Sequence, residues 1–113
     1  MATATTLDNK TIIETILEDY ARIPYAVGDL EHQLVFDEKR NRYLLLTLGW
    51  QGKKRVHYAL VHVELRGDKF WIHYDGTEDG IAYDLEQAGV LKENIVLAWY
   101  PEKVRQHTGY AVK

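Results

Sequence analysis

Between residues 30 and 75, four apolar segments follow one another with only short polar or glycine-bearing connections between them. They run over 30–36, 43–50, 55–65 and 70–75, and each is rich in the branched and aromatic residues that suit a pleated surface. The connections are Asp37-Glu38-Lys39-Arg40-Asn41-Arg42, Gln51-Gly52-Lys53-Lys54 and Arg66-Gly67-Asp68-Lys69. A parallel neighbour needs a crossover of about a dozen residues or more, so these strands pair as an antiparallel meander.

Two-residue turns fix a register. With Gly67 and Asp68 at a turn centre, Leu65 faces Phe70, Val63 faces Ile72, Val61 faces Tyr74, Glu64 faces Trp71 and His62 faces His73. With Gly52 and Lys53 at the other, Leu46 faces Ala59 and Leu44 faces Val61. The predicted core face is then Leu44, Leu46, Leu48, Ala59, Val61, Val63, Leu65, Phe70, Ile72 and Tyr74.

Before the meander, residues 7–21 carry Ile12, Ile13, Ile16, Leu17 and Tyr20 at helical spacing, with Asp8 as N-cap and Pro24 as stop. After it, residues 80–88 predict a short second helix, capped by Thr77 and ended at Gly89. Residues 95–99 predict a further short strand, and 108–112 a last strand or an ordered arm. The fold class is α+β: a meander sheet of four or more strands with both helices packed on one face. One domain is expected over 7–113, with 1–6 as a flexible N-terminal tail.

Composition narrows the chemistry. The 113 residues include no cysteine and no serine, which removes thiolate metal sites, disulfides and Ser or Cys nucleophiles. A net charge of −3 argues against a protein that mainly coats nucleic acid. Residues 1–6 do not resemble a secretory leader and no apolar run approaches a membrane span, so a cytoplasmic location is expected, with no membrane association.

The second sheet face carries Tyr43, Leu45, Tyr58, Leu60 and Trp71 beside Thr47, His62, Glu64, His73 and Asp75. This mixture is too apolar for a solvated face and too polar for a core, and it suits a protein–protein interface. Its partner-interface candidates are Tyr43, Leu45, Tyr58, Leu60, Trp71 and His73; the alternative is cover by the chain's own C-terminal segment. His62 and His73 with Glu64 or Asp75 offer metal-ligand types, but without cysteine or a helix-borne His pair they read as a surface cluster. The acidic run from Asp75 to Gly80 mimics part of a calcium loop, yet follows a strand where an EF-hand has a helix. Lys39, Arg40, Arg42, Arg66 and Lys69 gather at one end of the meander and form a candidate nucleic-acid surface. No phosphate loop and no general acid–base pair is evident, so no catalytic residue, metal or cofactor is assigned.

Further stretches stand out: residues 14–20, Gly28-Asp29-Leu30-Glu31, Gly49-Trp50 and Trp71-Ile72-His73-Tyr74-Asp75-Gly76-Thr77-Glu78-Asp79-Gly80-Ile81-Ala82. Arg105 and Thr108-Gly109-Tyr110-Ala111-Val112 complete the set. In these stretches the chain resembles the XisI-like family, which includes the fdxN element excision controlling factor of heterocyst-forming cyanobacteria. Its most specific motif residues are Asp75, Gly76, Thr77, Glu78, Gly80, Arg105, Thr108 and Gly109. The resemblance implies a small α+β accessory factor for programmed DNA excision that binds an XisH-like partner of endonuclease-type fold. A recombinase of the XisF type would be engaged indirectly, and self-association is expected. The alternatives are a direct DNA-binding regulator and a metal-dependent enzyme using His62, His73 and Asp75.

Overall fold

The computed structural model describes residues 8–24 and 29–113. The predicted tail 1–6, the first residue of the predicted helix and Gly28 of the family motif lie outside the described residues. The elements are α1 (Asn9–Ala21), β1 (Asp29–Asp37), β2 (Arg42–Gln51), β3 (Lys54–Arg66), β4 (Lys69–Asp75), α2 (Ile81–Gln87), β5 (Ile95–Leu97) and α3 (Glu102–Arg105). A 3₁₀ turn over Lys92–Asn94 leads into β5. The strands form one sheet in the order β1-β2-β3-β4-β5. The first four are antiparallel neighbours, and β5 joins β4 in parallel after the crossover through α2. The fold class is as the sequence predicts.

α1 starts where expected: the Asp8 carboxylate accepts a hydrogen bond from the Thr11 N–H at 2.8 Å, satisfying a donor that the first helical turn leaves open. Its apolar stripe buries Ile12, Ile13 and Leu17 against the sheet, and α2 adds Ile81 and Leu85. Both helices cover the same face of the sheet.

That face is not the predicted one over its whole length. The β2–β3 register holds from the Gly52-Lys53 turn to Leu46↔Ala59, but then Leu45 pairs with Val61 and Leu60 is skipped. In β3–β4 it holds from the Gly67-Asp68 turn to Val63↔Ile72, but then His62 pairs with Tyr74 and His73 is skipped. Each skip is a β-bulge, and each inverts the alternation beyond it. The buried face is therefore Tyr43, Leu45 and Thr47 on β2, Val61, Val63 and Leu65 on β3, and Phe70 and Ile72 on β4. Tyr43 and Leu45, expected at an interface, are fully buried core residues. Leu44, Leu46, Leu48 and Tyr74, expected in the core, lie on the outer face, and Tyr74 is 52% exposed.

Gly49 shows how closely β1 and β2 approach. Its φ is +141°, and a Cβ there would lie 1.9 Å from the Asp29 carbonyl oxygen. Gly52 also has positive φ, +62°, but nothing lies within 4 Å of its Cβ position. Gly49→Ala is expected to cost about 3 kcal/mol or more, because backbone must move. Gly52→Ala is expected to cost about 1 kcal/mol, the penalty of the left-handed conformation alone. Urea unfolding of both variants checks this; equal losses would contradict the close approach at Gly49.

Candidate functional site

The outer face carries a charged cluster where β2, β3 and β4 lie side by side. Arg42, Glu64 and Trp71 stand on one cross-strand row, and Arg66 and His73 flank it. Glu64 is only 8% exposed, although it lies on the face away from the helices. Its Oε2 accepts from Arg66 Nε at 2.9 Å and lies 3.1 Å from Arg42 Nη1. His73 Nε2 lies 2.9 Å from Oε1, so both carboxylate oxygens are engaged. The Arg66 hydrogen bond, helped by His73 and the two arginine charges, outweighs burial and holds the Glu64 carboxyl down at about 2. The same bond raises the Arg66 pKa.

Two guanidinium groups lie over the Trp71 ring. Arg66 Cζ is 4.0 Å from its ring centroid and Arg105 Cζ is 5.4 Å away. Arg105 is itself fixed, donating from Nε to the Tyr100 carbonyl at 2.9 Å and from Nη1 to the Val112 carbonyl at 2.5 Å. The C-terminal segment thus closes the β5 edge, where Ala111 N–H bonds the Ile95 carbonyl at 2.8 Å and bridges Val96 in parallel. The tail is an ordered arm; among the described residues it makes one isolated bridge, and the C-terminal segment meets β4 through Arg105 at Trp71 and Lys113 at Lys69.

The remaining predicted residues divide by role. Leu60 is partly buried against the core, and its carbonyl accepts from Gly76 N–H at 2.8 Å. Tyr58 lies on the helix side of the sheet, opposite Thr47. Its neighbours include Tyr20, His32, Leu60 and Thr77, around a cavity of about 360 Å³. Among the basic residues, Arg40 pairs with Asp37 at 3.1 Å, Arg42 and Arg66 share Glu64, and Lys69 bonds the Lys113 carbonyl. Lys39 is exposed in the turn between β1 and β2.

The motif residues after β4 build a turn. Asp75 Oδ1 accepts from the Thr77 N–H at 2.9 Å and from the Thr77 hydroxyl at 2.5 Å, and Oδ2 accepts from Ile81 N–H at 2.6 Å. Asp75 is therefore the side chain that bonds the start of α2, where the sequence suggested Thr77; the capping position itself is Gly80, with φ +92°. A Cβ on Gly76 would meet Leu60 Cδ1 at 3.1 Å, so this turn packs directly on the β3 bulge. Glu78 is exposed. Thr108 bonds the Arg105 carbonyl through its hydroxyl at 3.0 Å and accepts from Tyr110 N–H at 3.1 Å, while Gly109 turns the chain at φ +85°.

Asp75 pairs with Val61 on the helix side, across the sheet from His62 and His73. The expected grouping of these three is thus corrected by the bulge at His73. The two imidazoles are neighbours, with ring centroids 4.9 Å apart. Burial, then the nearby His73 and Arg42, lower the His62 pKa. Among the described residues no group of three His, Asp or Glu side chains has metal-binding geometry. No helix among them is long and apolar enough to cross a membrane.

The Glu64 cluster generates a pH prediction. Its carboxyl titrates near 2 when folded and near 4.5 when unpaired, so its stabilisation is complete above pH about 5 and is lost as pH falls through 4.5 toward 2. The full amount is roughly 3 kcal/mol. Glu64→Gln should lose stability at pH 7 and flatten the acid limb; chemical denaturation across pH 2–7 measures both, and an unchanged limb would contradict the cluster's role.

A family model described as XisI protein matches residues 3–112. The fold is similar to the crystal structure of a XisI-like protein from Anabaena variabilis ATCC 29413, with TM-score 0.84 and 32% identity over 92% of this chain and 95% of that one. It is also similar to the fdxN element excision controlling factor XisI of the same organism, with TM-score 0.77 and 28% identity over 92% and 95%. No curated protein matches the chain. The matched span covers nearly every residue, including the turn after β4 and the Arg105 to Val112 arm, and the chain belongs to the XisI family.

Proposed function

We propose that this protein is a controlling factor for programmed DNA excision that works by binding an XisH-like partner of endonuclease-type fold and does no catalysis of its own. A recombinase of the XisF type is reached through that partner. The family match and the likeness to an excision controlling factor support the setting. The observation that carries the binding mode is the Trp71 platform. An indole with two guanidiniums over its ring, beside a satisfied carboxylate, has the composition of an interface hot spot. His73, of the original interface candidates, stands beside it; Tyr58 and Leu60 are on the other side of the sheet.

The internal pairing of Arg40, Arg42, Arg66 and Lys69 favours this reading over direct contact with a phosphate backbone. The absence of Ser and Cys nucleophiles from the sequence agrees with a non-catalytic role.

Co-expression with an XisH-like protein and size-exclusion chromatography test the proposal. The two should co-elute, and Trp71→Ala should weaken the complex by about tenfold or more while far-UV circular dichroism stays native. Separate elution of the wild-type proteins at micromolar concentration defeats the reading. Steep, salt-sensitive DNA binding by the chain alone would replace it with the direct regulator.

A further inference from the structure

Away from the Glu64 cluster, toward the β2–β3 turn, the outer face has a different composition. Leu44, Leu46 and Leu48 form its central stripe on β2, each partly exposed. Val35 on β1, 44% exposed, flanks the stripe beside Leu44, and Ala59 on β3 flanks it beside Leu46; Tyr74 on β4 lies one strand further out, beyond His62. None of these residues belongs to the core cluster beneath the helices. A continuous apolar patch across neighbouring strands is unusual on a free surface and marks an interaction face.

The polar groups beside the stripe are arranged by strand. β1 contributes the carboxylates of Asp29 and Glu31, while β3 contributes the Arg55 guanidinium and the His57 and His62 imidazoles, whose ring N–H can donate to a carboxylate. The registers place Asp29, Trp50 and Arg55 on one row, and Glu31, Leu48 and His57 on the next outer-face row. Across the face, the order is acidic strand, apolar strand, basic strand.

This order complements itself under one symmetry operation. A two-fold axis lying between two facing sheets and running along β2 exchanges left and right but keeps every row at its own height. Each leucine then meets its own copy. Asp29 and Glu31 meet Arg55 and His57 of the second copy, and the reverse contacts follow by symmetry. A two-fold across the strands would instead lay the acidic β1 on itself. Aligned sheet packing, with strands about 30° apart, allows the first arrangement. The contact ends at the Val35–Leu44 row, because Arg42 on the next row would meet its own copy. The Trp71 platform lies beyond that limit, so this interface leaves it open.

We infer that the protein forms an isologous dimer through the outer face of β1–β3, with the two-fold axis along β2, the leucine stripes stacked, and the acidic strand of each copy over the basic strand of the other. The inference does not depend on the XisH-like partner.

Sedimentation of the purified chain tests it. The expected mass is twice 13.1 kDa at micromolar concentration, falling to one copy on dilution. Leu46→Lys should dissociate the dimer while circular dichroism stays native, since Leu46 lies outside the core. Charge-swapped variants test the axis. D29K/E31K alone and R55E/H57E alone should each weaken self-association by about tenfold or more, and an equimolar mixture of the two should recover dimers. A wild-type monomer throughout, or a Leu46→Lys variant that remains dimeric, overturns the proposal. So does failure of the mixture to recover, which stays informative even if Leu46→Lys does not fold. Occupancy of this face only by a different protein would show as a wild-type monomer and counts against the dimer.

Discussion

Leu60 in β3 lacks a partner in the β2 ladder, and His73 in β4 lacks one in the β3 ladder. These two extra residues decide which side of the sheet the helices cover. Without them, alternation would carry Leu44 and Tyr74 inward and Tyr43 and Leu45 outward. With them, Tyr43, Leu45, Val61 and Ile72 share one buried face. The bulges lie on adjacent strands, and the turn after β4 holds the first in place: Gly76 bonds the Leu60 carbonyl, and its missing Cβ admits the Leu60 side chain. Asp75 then passes the chain from this turn into α2 by bonding Ile81. The same acidic, glycine-bearing run that resembles a calcium loop is accounted for by strand-to-helix geometry.

The outer face divides into two regions with different physics. At one end, Glu64 satisfies Arg42, Arg66 and His73, and the Arg66 and Arg105 guanidiniums lie over Trp71. A nearly buried carboxylate is tolerated there because each oxygen has a charged or hydrogen-bonding partner. At the other end the face is leucine-rich, with its charges at the flanks. The C-terminal segment touches the first region, where Arg105 lies over Trp71 and the Lys113 carbonyl accepts from Lys69, while its bridge to Val96 lies beyond β4.

Much of the architecture was legible. The four-strand meander, both helices, the Asp8 cap and the two tight turns follow from local patterning, and the register is right for the part of each hairpin nearest its turn. The site was legible only in part. Trp71 and His73 read as interface residues and Arg42 and Arg66 as a basic surface; Glu64 joins the two groups across three strands, a convergence that no local spacing shows. The pattern does not place Tyr43 and Leu45, because β2 is apolar in both phases: Tyr43 and Leu45 alternate with Leu44, Leu46 and Leu48. Such a strand gives no periodic signal for which phase is inside. The 3₁₀ turn before β5 and the single turn of α3 are too short to show a period at all.

The sequence by itself determined the family, the α+β class, the antiparallel order of the first four strands and the lack of Ser and Cys chemistry, since these depend on local propensity, connection length and composition. Only the tertiary structure decided which face of the sheet is buried, and so which residues a partner can touch. A bulge costs one residue and leaves almost no trace in hydrophobic alternation, yet it inverts every side chain beyond it. Which positions carry the bulges is fixed by long-range contacts, such as Gly76 against Leu60, that no window along the chain contains.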